Sequence, residues 1–335
     1  MQEPHPRPFI RRFAFLKEWR MGLCKQLRLS VMPAFRLVLN TRAGSYHSGW
    51  SENLEAELLE LFARHDHELV IARPGPGDIE SSIDEAVQAG DEGIMVAGGD
   101  GTVSAAAKHL LGRKTPLGIL PLGTLNLAAR DFRIPLDTLE AARLALASPP
   151  VPADVLEVND RCCLCATILG FYPWLARRAG EYHGSFWWIK SVVAAARSVW
   201  GFSRFRPLCL NFVFRGEGTR VRTRLAAFVP GSYEEVFGVI PRRTDWAAGH
   251  LTAYISGHSN PWQFIRAGFA YLRGRWKDEQ HLTTLEADQL TIDHPRRRAL
   301  TAMLDGEIVE LSLPVEIRLR HAALNIFAGP GPSNS

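Results

Sequence analysis

Short apolar runs alternate with amphipathic stretches over the first half of the chain. The apolar runs predict strands that are buried on both faces, and the amphipathic stretches predict helices packed against them. The predicted strands cover 35–39, 68–72, 94–97 and 117–120, and the predicted helices cover 51–64, 79–89, 103–111 and 139–147. Strands that alternate with helices favour an α/β domain with a parallel sheet.

Beyond residue 150 the pattern changes to short strands separated by turns. A hairpin is predicted over 154–159 and 161–169, with its turn at Asn159-Asp160. Further strands are predicted at 208–214, 219–229, 251–255, 283–287 and 289–293, with one helix at 262–272. Repeated short strands are typical of a β-sandwich. We therefore predict a leader at 1–34, an α/β domain at 35–150, a β-rich domain at 151–320 and a C-terminal segment at 321–335.

Length, charge and cysteine content narrow the functional classes. A chain of 335 residues suits two domains, and a net charge of +4 fits anionic ligands or an anionic membrane surface without calling for nucleic acid. Five irregularly spaced cysteines argue against a disulfide framework. The single CxxC at Cys162–Cys165 lacks the second pair that a structural zinc site needs, so it predicts a buried strand.

The leader is basic and aromatic. No uncharged apolar run reaches the length of a membrane span, and basic residues interrupt the first apolar ones, which argues against a secretory signal. Phe9, Phe13 and Leu16 fall at helical spacing among seven Arg and Lys residues. Such a helix can lie on an anionic bilayer, dock on the protein or form a partly disordered tail. The sequence thus predicts a cytoplasmic protein, with peripheral contact at the inner face of the membrane left open.

A glycine-rich turn follows the third predicted strand. Three of the four positions 98–101 are glycine, and a helix follows directly, so free N–H groups and the positive end of a helix dipole face the turn. An acid at this place, Asp100, suits a site that also holds a cation or a transferable proton. The pattern therefore indicates phosphoryl transfer with Mg²⁺.

A glycine loop and three companion motifs resemble the diacylglycerol kinase and sphingosine kinase catalytic-domain family, which includes soluble bacterial lipid kinases. Gly98-Gly99-Asp100-Gly101-Thr102 resembles the GGDGT nucleotide loop of that family. Around it lie an Asn-x-x-x-Gly turn after the first strand, a Pro-x-Gly-Thr-x-Asn loop after the fourth and a DGE triplet near the C-terminus. The matching residues are Asn40 and Gly44, then Pro121, Gly123, Thr124, Asn126, Ala129 and Arg130, then Asp305, Gly306 and Glu307.

The resemblance implies a fold and a reaction. The fold is a Rossmann-like α/β nucleotide-binding domain followed by a β-sandwich lipid-substrate domain, with the C-terminal segment packed back on the first domain. The reaction is transfer of the γ-phosphate of ATP, with Mg²⁺, to a lipid hydroxyl such as that of diacylglycerol or a sphingoid-like alcohol. The three loops would hold the nucleotide phosphates, Asp100 would act on the metal or as a base, and Glu307 would be the general base.

The chain departs from the family pattern at several positions. Thr41 stands where the family often has Pro, and Leu127 replaces an acid common in bacterial diacylglycerol kinases. Only Asp245, Gly249 and Leu251 remain of a stretch that holds a structural Mg²⁺ in some members, so we predict that this metal site is lost. Asp154 is either an active-site acid of the second domain or an ordinary turn residue.

Other interpretations remain open at this stage. One is a kinase with a soluble acceptor, similar to NAD kinase, and another is a non-catalytic nucleotide- or lipid-binding module. A nucleic-acid binder would leave the ordered glycine loops unexplained. The aromatic and basic segment 170–205 could stack bases, lie at a bilayer interface, line an acyl pocket together with residues 162–169 or form ordinary core. A homodimer is also left open.

Overall fold

The computed structural model describes residues 34–43, 50–75, 77–179, 200–214, 216–234, 243–277 and 279–331. The predicted leader, Gly44 and most of the aromatic segment after residue 179 lie outside these ranges. The first half contains β1 Ala34–Leu39, α1 Glu52–Arg64, β2 Glu68–Ala72, α2 Ile79–Ala89, β3 Gly93–Gly98, α3 Asp100–Leu110, β4 Leu117–Pro121, α4 Leu127–Asp131 and α5 Thr138–Ala147.

The second half is mainly β-structure. Its elements are β5 Val151–Val158, β6 Arg161–Cys163, β7 Thr167–Gly170, α6 Phe171–Ala179, β8 Leu208–Phe214, β9 Glu217–Thr223, β10 Leu225–Pro230, β11 Leu251–Ser256, α7 Pro261–Leu272, β12 Leu282–Ala287, β13 Gln289–Asp293, β14 Ala299–Leu304, β15 Glu307–Ser312 and β16 Val315–Ile326. Among the residues described, every helix falls short of the length and apolar character that a membrane span requires.

The strands form two sheets. The first has the order β2-β1-β3-β4-β16-β13-β8-β9, with β5 paired to β16 and β6 paired to β5. Strands β1 to β4 are parallel, and β3 is buried along its whole length because helices cover both faces. The second sheet has the order β12-β11-β10-β7-β14-β15 and is antiparallel. This architecture confirms the predicted α/β domain followed by a β-sandwich.

The apolar residues form one core in each half. In the sandwich, Leu210 and Phe212 of the first sheet belong to the same buried cluster as Phe228 and Leu300 of the second. Side-chain caps set the starts of several helices: Ser51 accepts a hydrogen bond from the backbone N of Leu54 at 3.1 Å, which satisfies one of the free donors of α1.

Two strand predictions were wrong in detail. The stretch 219–229 is not one strand, because the chain leaves the first sheet after Thr223 and enters the second at Leu225. The hydroxyl of Thr223 accepts a hydrogen bond from the backbone N of Leu225 at 3.1 Å, which fixes the bend. The stretch 161–169 is likewise divided between β6 and β7, which belong to different sheets.

The C-terminal strand joins the two halves. β16 pairs with β5 over most of its length and then runs parallel to β4, where Ile326 pairs with Leu117. The backbone N of Gly112 donates to the carbonyl of Ala323 at 2.7 Å. Because β16 belongs to both halves, the sandwich is continuous with the parallel sheet.

A buried ion pair also crosses between the halves. Asp131 ends α4, and its Oδ2 accepts a hydrogen bond from Nη2 of Arg243 at 2.6 Å. The same guanidinium donates to the carbonyls of Leu164 and Asp154 and lies over the ring of Phe132. Burial raises the pKa of Asp131, and the Arg243 charge opposes that rise. The charge of Arg243 therefore favours the ionised form of Asp131, whereas burial favours the protonated form.

Replacing Arg243 should lower the stability of the protein, and the decrease should be larger at higher pH. We expect Arg243→Met to lower the free energy of unfolding by about 3–5 kcal/mol near neutral pH, because a buried carboxylate loses its partner. Without Arg243 the folded-state pKa of Asp131 rises further above its unfolded value. At lower pH the folded variant binds a proton on Asp131, which removes the unpaired charge. The decrease in the free energy of unfolding should therefore be smaller near about pH 5 than near about pH 8.

Urea unfolding at the two pH values measures this effect. Arg64→Met is the matched control, because Arg64 makes an exposed i,i+4 pair with Glu60, and the loss of such a pair should cost less than about 1 kcal/mol. An Arg243→Met variant as stable as Arg64→Met at both pH values would contradict the role assigned to the pair.

Candidate functional site

Loops after three parallel strands meet at one edge of the first sheet. Asn40 follows β1, and its side-chain Nδ2 donates to Oγ1 of Thr102 at 2.7 Å. The loop after β4 approaches the loop after β3 so closely that a Cβ added to Gly123 would lie 2.8 Å from Cα of Gly99. The carboxyl edge of a parallel sheet is where α/β proteins bind ligands. The structure thus brings together the sequence-predicted loops, apart from Gly44.

The glycines of the central loop are required by close contacts. A Cβ on Gly98 would lie 2.7 Å from Cβ of Thr102, and a Cβ on Gly101 would lie 2.1 Å from Oε1 of Glu307. Real Cβ atoms do not make such contacts, so only glycine allows this packing. The helix α3 begins at Asp100, three residues earlier than predicted, which puts Gly101 and Thr102 in its first turn. The free N–H groups and the positive dipole end of α3 therefore face the glycine loop.

Asp100 connects the two glycine loops. Its Oδ1 accepts a hydrogen bond from the backbone N of Ala128 at 3.1 Å, at the start of α4. Burial raises the pKa of Asp100, the bond from Ala128 counteracts this, and the nearby charge of Asp305 adds to the rise. The carboxylate thus holds the second loop in place, a contact that the sequence did not indicate.

The loop after β4 is organised by its own asparagine. Asn126 adopts a positive φ of 50°, its Oδ1 accepts from the backbone N of Gly123 at 2.8 Å, and its Nδ2 donates to the carbonyl of Gly123 at 2.9 Å. Thr124 is exposed at the tip. Asn126 therefore shapes the loop and leaves Thr124 exposed.

The DGE triplet forms the turn between β14 and β15. Asp305 and Gly306 have φ values of 46° and 90°, which matches an Asp-Gly hairpin turn. A Cβ added to Gly306 would lie 3.2 Å from Cδ1 of Leu127, so the apolar side chain of Leu127 packs against the turn. Glu307 is the first residue of β15. The turn thereby places a carboxylate from the second half of the chain against the glycine loop of the first half.

Buried Asp305 fixes the position of that turn. Its carboxylate accepts hydrogen bonds from three backbone N–H groups of the bend between β6 and β7 and from two side chains. The donors are the backbone N of Leu164, Cys165 and Ala166, at 2.7 to 3.2 Å, the hydroxyl of Ser104 at 3.0 Å and the thiol of Cys163 at 3.2 Å. Sequence reasoning gave Asp305 no separate role, because its partners are about 140 and 200 positions away in the chain.

A cavity of about 200 Å³ opens beside this contact, between α3 and the β5–β6 hairpin. Gly101 and Glu307 line one part of it, and Lys108 and Arg161 line another. Glu80, Asp160 and Asp305 also line it, so the cavity combines four carboxylates with two cationic side chains. Its volume suits a small polar group rather than a whole acyl chain.

The acids that the sequence left uncertain lie elsewhere. Asp154 is fully buried, and its carboxylate accepts from the backbone N of Gly249 at 2.7 Å and of Ala322 at 2.8 Å. It therefore fastens β5 to β16. Asp245 is exposed, and its Oδ1 accepts from the backbone N of Ala247 at 2.9 Å. The predicted loss of a metal site around Asp245 stays a prediction.

Cys163 and Cys165 are buried at the bend that Asp305 holds. Burial raises the pKa of both thiols well above the usual range, and the Asp305 charge raises it further. Both are therefore protonated near neutral pH and act as small apolar side chains.

One His-Glu-His cluster in the described chain has the composition of a metal site: His258, Glu279 and His281. The amide oxygen of Gln263 accepts from the backbone N of Ser259 at 2.8 Å, so its NH₂ group faces Nε2 of His281 at 3.0 Å. That nitrogen is then the acceptor, and the proton sits on Nδ1, which points to Glu279. Arg266 donates to the same carboxylate. The arrangement is that of a hydrogen-bonded cluster rather than a set of metal ligands.

Comparison with known proteins agrees with the geometry of the loops. Residues 34–158 match the family model of the diacylglycerol kinase catalytic domain. A probable lipid kinase YegS-like protein of Klebsiella pneumoniae (strain 342) is 37% identical over 136 residues, 40% of this chain and 44% of that protein. A probable lipid kinase YegS of Escherichia fergusonii is 40% identical over 136 residues, 39% of this chain and 44% of that protein. The matched stretch therefore spans less than half of these curated relatives.

A solved structure extends the likeness to most of the fold. A diacylglycerol kinase from Bacillus anthracis str. Sterne superposes with a TM-score of 0.65 at 20% identity, covering 89% of this chain and 98% of that one. At this identity the likeness shows the fold alone. Together with the match of residues 34–158 to the family model and the loops at the sheet edge, it shows that the chain has the fold of that structure and that its first half is similar to the diacylglycerol kinase catalytic domain.

Proposed function

We propose that this protein is an ATP-dependent lipid kinase that transfers the γ-phosphate of ATP to a lipid hydroxyl. The observation that carries the proposal is the contact between Glu307 and Gly101, which places a carboxylate of the second half beside the glycine loop of the first. Phosphoryl transfer needs a cradle for phosphates and an oriented hydroxyl in one place. The relatives named as probable lipid kinases support a lipid as the acceptor.

The glycine loops fit a nucleotide. Residues 98–102 and 123–126 offer backbone N–H groups at a helix start, and a side chain at Gly99 or Gly123 would fill the space between the loops. Asn40 and Thr102 border the same edge. When bound, the nucleotide with Mg²⁺ supplies the phosphoryl group and neutralises its charge. Asp100 would hold that metal.

Glu307 has the properties of a general base. In the proposed reaction, its carboxylate accepts the proton of the acceptor hydroxyl while the hydroxyl oxygen forms a bond to the γ-phosphorus and the bond from phosphorus to the ADP oxygen breaks. Asp305 acts as a positioning residue, because its five hydrogen bonds fix the turn that carries Glu307. Diacylglycerol and sphingoid-like alcohols are the acceptors we propose.

Loss of the Glu307 carboxylate should abolish most of the transfer. We expect the wild type with Mg²⁺ and labelled ATP to phosphorylate a component of a mixed lipid extract, and Glu307→Gln to be slower by roughly 10²- to 10⁴-fold. Glu310→Gln is the matched control, since Glu310 lies on the same strand and contacts only Arg177 at 3.4 Å among its described ion pairs. It should keep wild-type activity.

Each other outcome of this assay has a meaning. If a soluble acceptor such as NAD is labelled and no lipid is, the acceptor is a soluble molecule and the proposal of a lipid acceptor is wrong. ATP binding without labelling of any acceptor would favour a non-catalytic binding module. Full activity of Glu307→Gln would remove Glu307 from the mechanism.

A methyl group on Gly101 should displace Glu307 without unfolding the protein. The atom nearest to the new Cβ is the far end of the Glu307 side chain, which can move away. We expect Gly101→Ala to unfold at nearly the wild-type urea concentration and to lose activity by roughly 10²-fold, since small displacements of a reacting group are costly. Gly218→Ala is the control, because an added Cβ there meets nothing within 4 Å. A Gly101→Ala variant with wild-type activity would show that the position of Glu307 against Gly101 is not needed for the reaction.

A further inference from the structure

The helix α7 presents an unusual surface. Of its twelve residues, all of them described, none is buried. Trp262 is 76% exposed and Phe269 is 58% exposed, and Leu272 lies on the same side of the helix. Positions 262, 265, 269 and 272 follow the spacing of a single apolar stripe. Large apolar side chains lined up in this way on a surface normally mark an interaction site.

The helix is held rigidly by its other side. Asn260 and Gln263 form a capping box at its start, with Pro261 in the first turn. The ring of Phe264 stacks on Phe202 with centroids 4.3 Å apart and meets Phe171 edge-on at 5.6 Å. These contacts fix which face of α7 points outward, so the exposed stripe is a feature of the folded protein.

The stretch from α7 to Lys277 carries only cationic charges, and Asp278 and Glu279 follow directly. The stretch 261–277 contains Arg266, Arg273, Arg275 and Lys277 and no acidic residue. Arg266 is paired with Glu279 at 2.9 Å, whereas Arg273 and Arg275 are exposed beyond the end of the helix. Aromatic and apolar side chains flanked by cations are the combination that binds the surface of an anionic bilayer.

A neighbouring segment adds to the same surface. Trp200 is 57% exposed, and the guanidinium of Arg204 lies 4.0 Å above its ring. Phe202, between these residues, is the ring that stacks on Phe264 of α7. The α6 helix next to them contacts β15 through Arg177 and Glu310, and β15 begins at Glu307. The surface is thus part of the helical layer that adjoins the proposed active site.

We infer that the exposed face of α7, with Trp200, lies on an anionic lipid bilayer. Trp262, Phe269 and Leu272 enter the boundary between head groups and acyl chains, and Arg273 and Arg275 contact lipid phosphates. A second copy of the chain fits less well, because a twofold interface would bring the exposed Arg273 and Arg275 of both helices together.

Flotation with lipid vesicles tests the inference without nucleotide or turnover, so the result is independent of the proposed kinase activity. We expect the full chain to float with vesicles made of equal parts phosphatidylglycerol and phosphatidylcholine, and to bind phosphatidylcholine vesicles much less. The double variant Trp262→Gln/Phe269→Gln should bind the anionic vesicles at least roughly tenfold more weakly. Arg273→Gln/Arg275→Gln should lose affinity and most of its salt dependence.

The matched control is Leu59→Gln/Leu136→Gln, which changes two leucines that are each 42% exposed in the first half of the chain. It should bind as the wild type does, and all variants should unfold at the wild-type temperature because the changed side chains are exposed. Equal binding by the wild type and Trp262→Gln/Phe269→Gln would overturn the inference. So would a wild-type dimer that these two changes dissociate while vesicle binding is absent.

Discussion

The carboxylate of Asp305 is the group on which the arrangement of the site depends. It is buried where α3, the β6–β7 bend and the β14–β15 turn meet, and it satisfies backbone donors that otherwise have no acceptor there. Buried N–H groups without partners destabilise a fold by about 1–3 kcal/mol each. Because Glu307 is two residues away, the same hydrogen bonds that stabilise this junction also fix the carboxylate against Gly101.

The other buried charges serve the same junction. Asp154 ties β5 to the loop at Gly249 and to β16, and Arg243 pairs with Asp131 at the end of α4. The strand β16 continues from the sandwich to β4. Each of these contacts joins residues that are far apart in sequence, so the relative position of the two halves is set by a few long-range polar contacts together with one shared strand. Such a rigid junction suits a site whose parts come from both halves.

Much of the fold could be predicted because its signals are local. The apolar runs of β1, β3 and β4 are continuous, and each is followed by a polar or glycine-containing turn, so the parallel sheet and its ligand edge follow from the sequence. The break at Thr223 could not be predicted in this way. Thr219 to Val229 has the composition of one long strand, and the bend depends on a hydroxyl that also donates to the carbonyl of Ser256.

The structure brings the predicted glycines and acids together, whereas their hydrogen-bond partners could not be predicted. The glycine loop and the DGE triplet assigned Asp100, Gly101 and Glu307 to one predicted site. The contacts of Asp100 with Ala128 and of Asp305 with residues 164–166 depend on tertiary packing. The stripe on α7 is similar: its spacing can be read from the sequence, but a helix in that position would normally be interpreted as core. Only the packing of Phe264 shows which face is exposed.

Hydrogen exchange in the presence of nucleotide tests the central claim most directly. The claim is that the glycine loops at the sheet edge form the phosphate cradle that Glu307 faces. With Mg²⁺ and a non-hydrolysable ATP analogue, backbone amides of residues 98–102 and 122–126 should exchange more slowly than in the free protein, while those of the distant β8–β9 hairpin stay unchanged. Slower exchange elsewhere with no change in these loops would contradict the account.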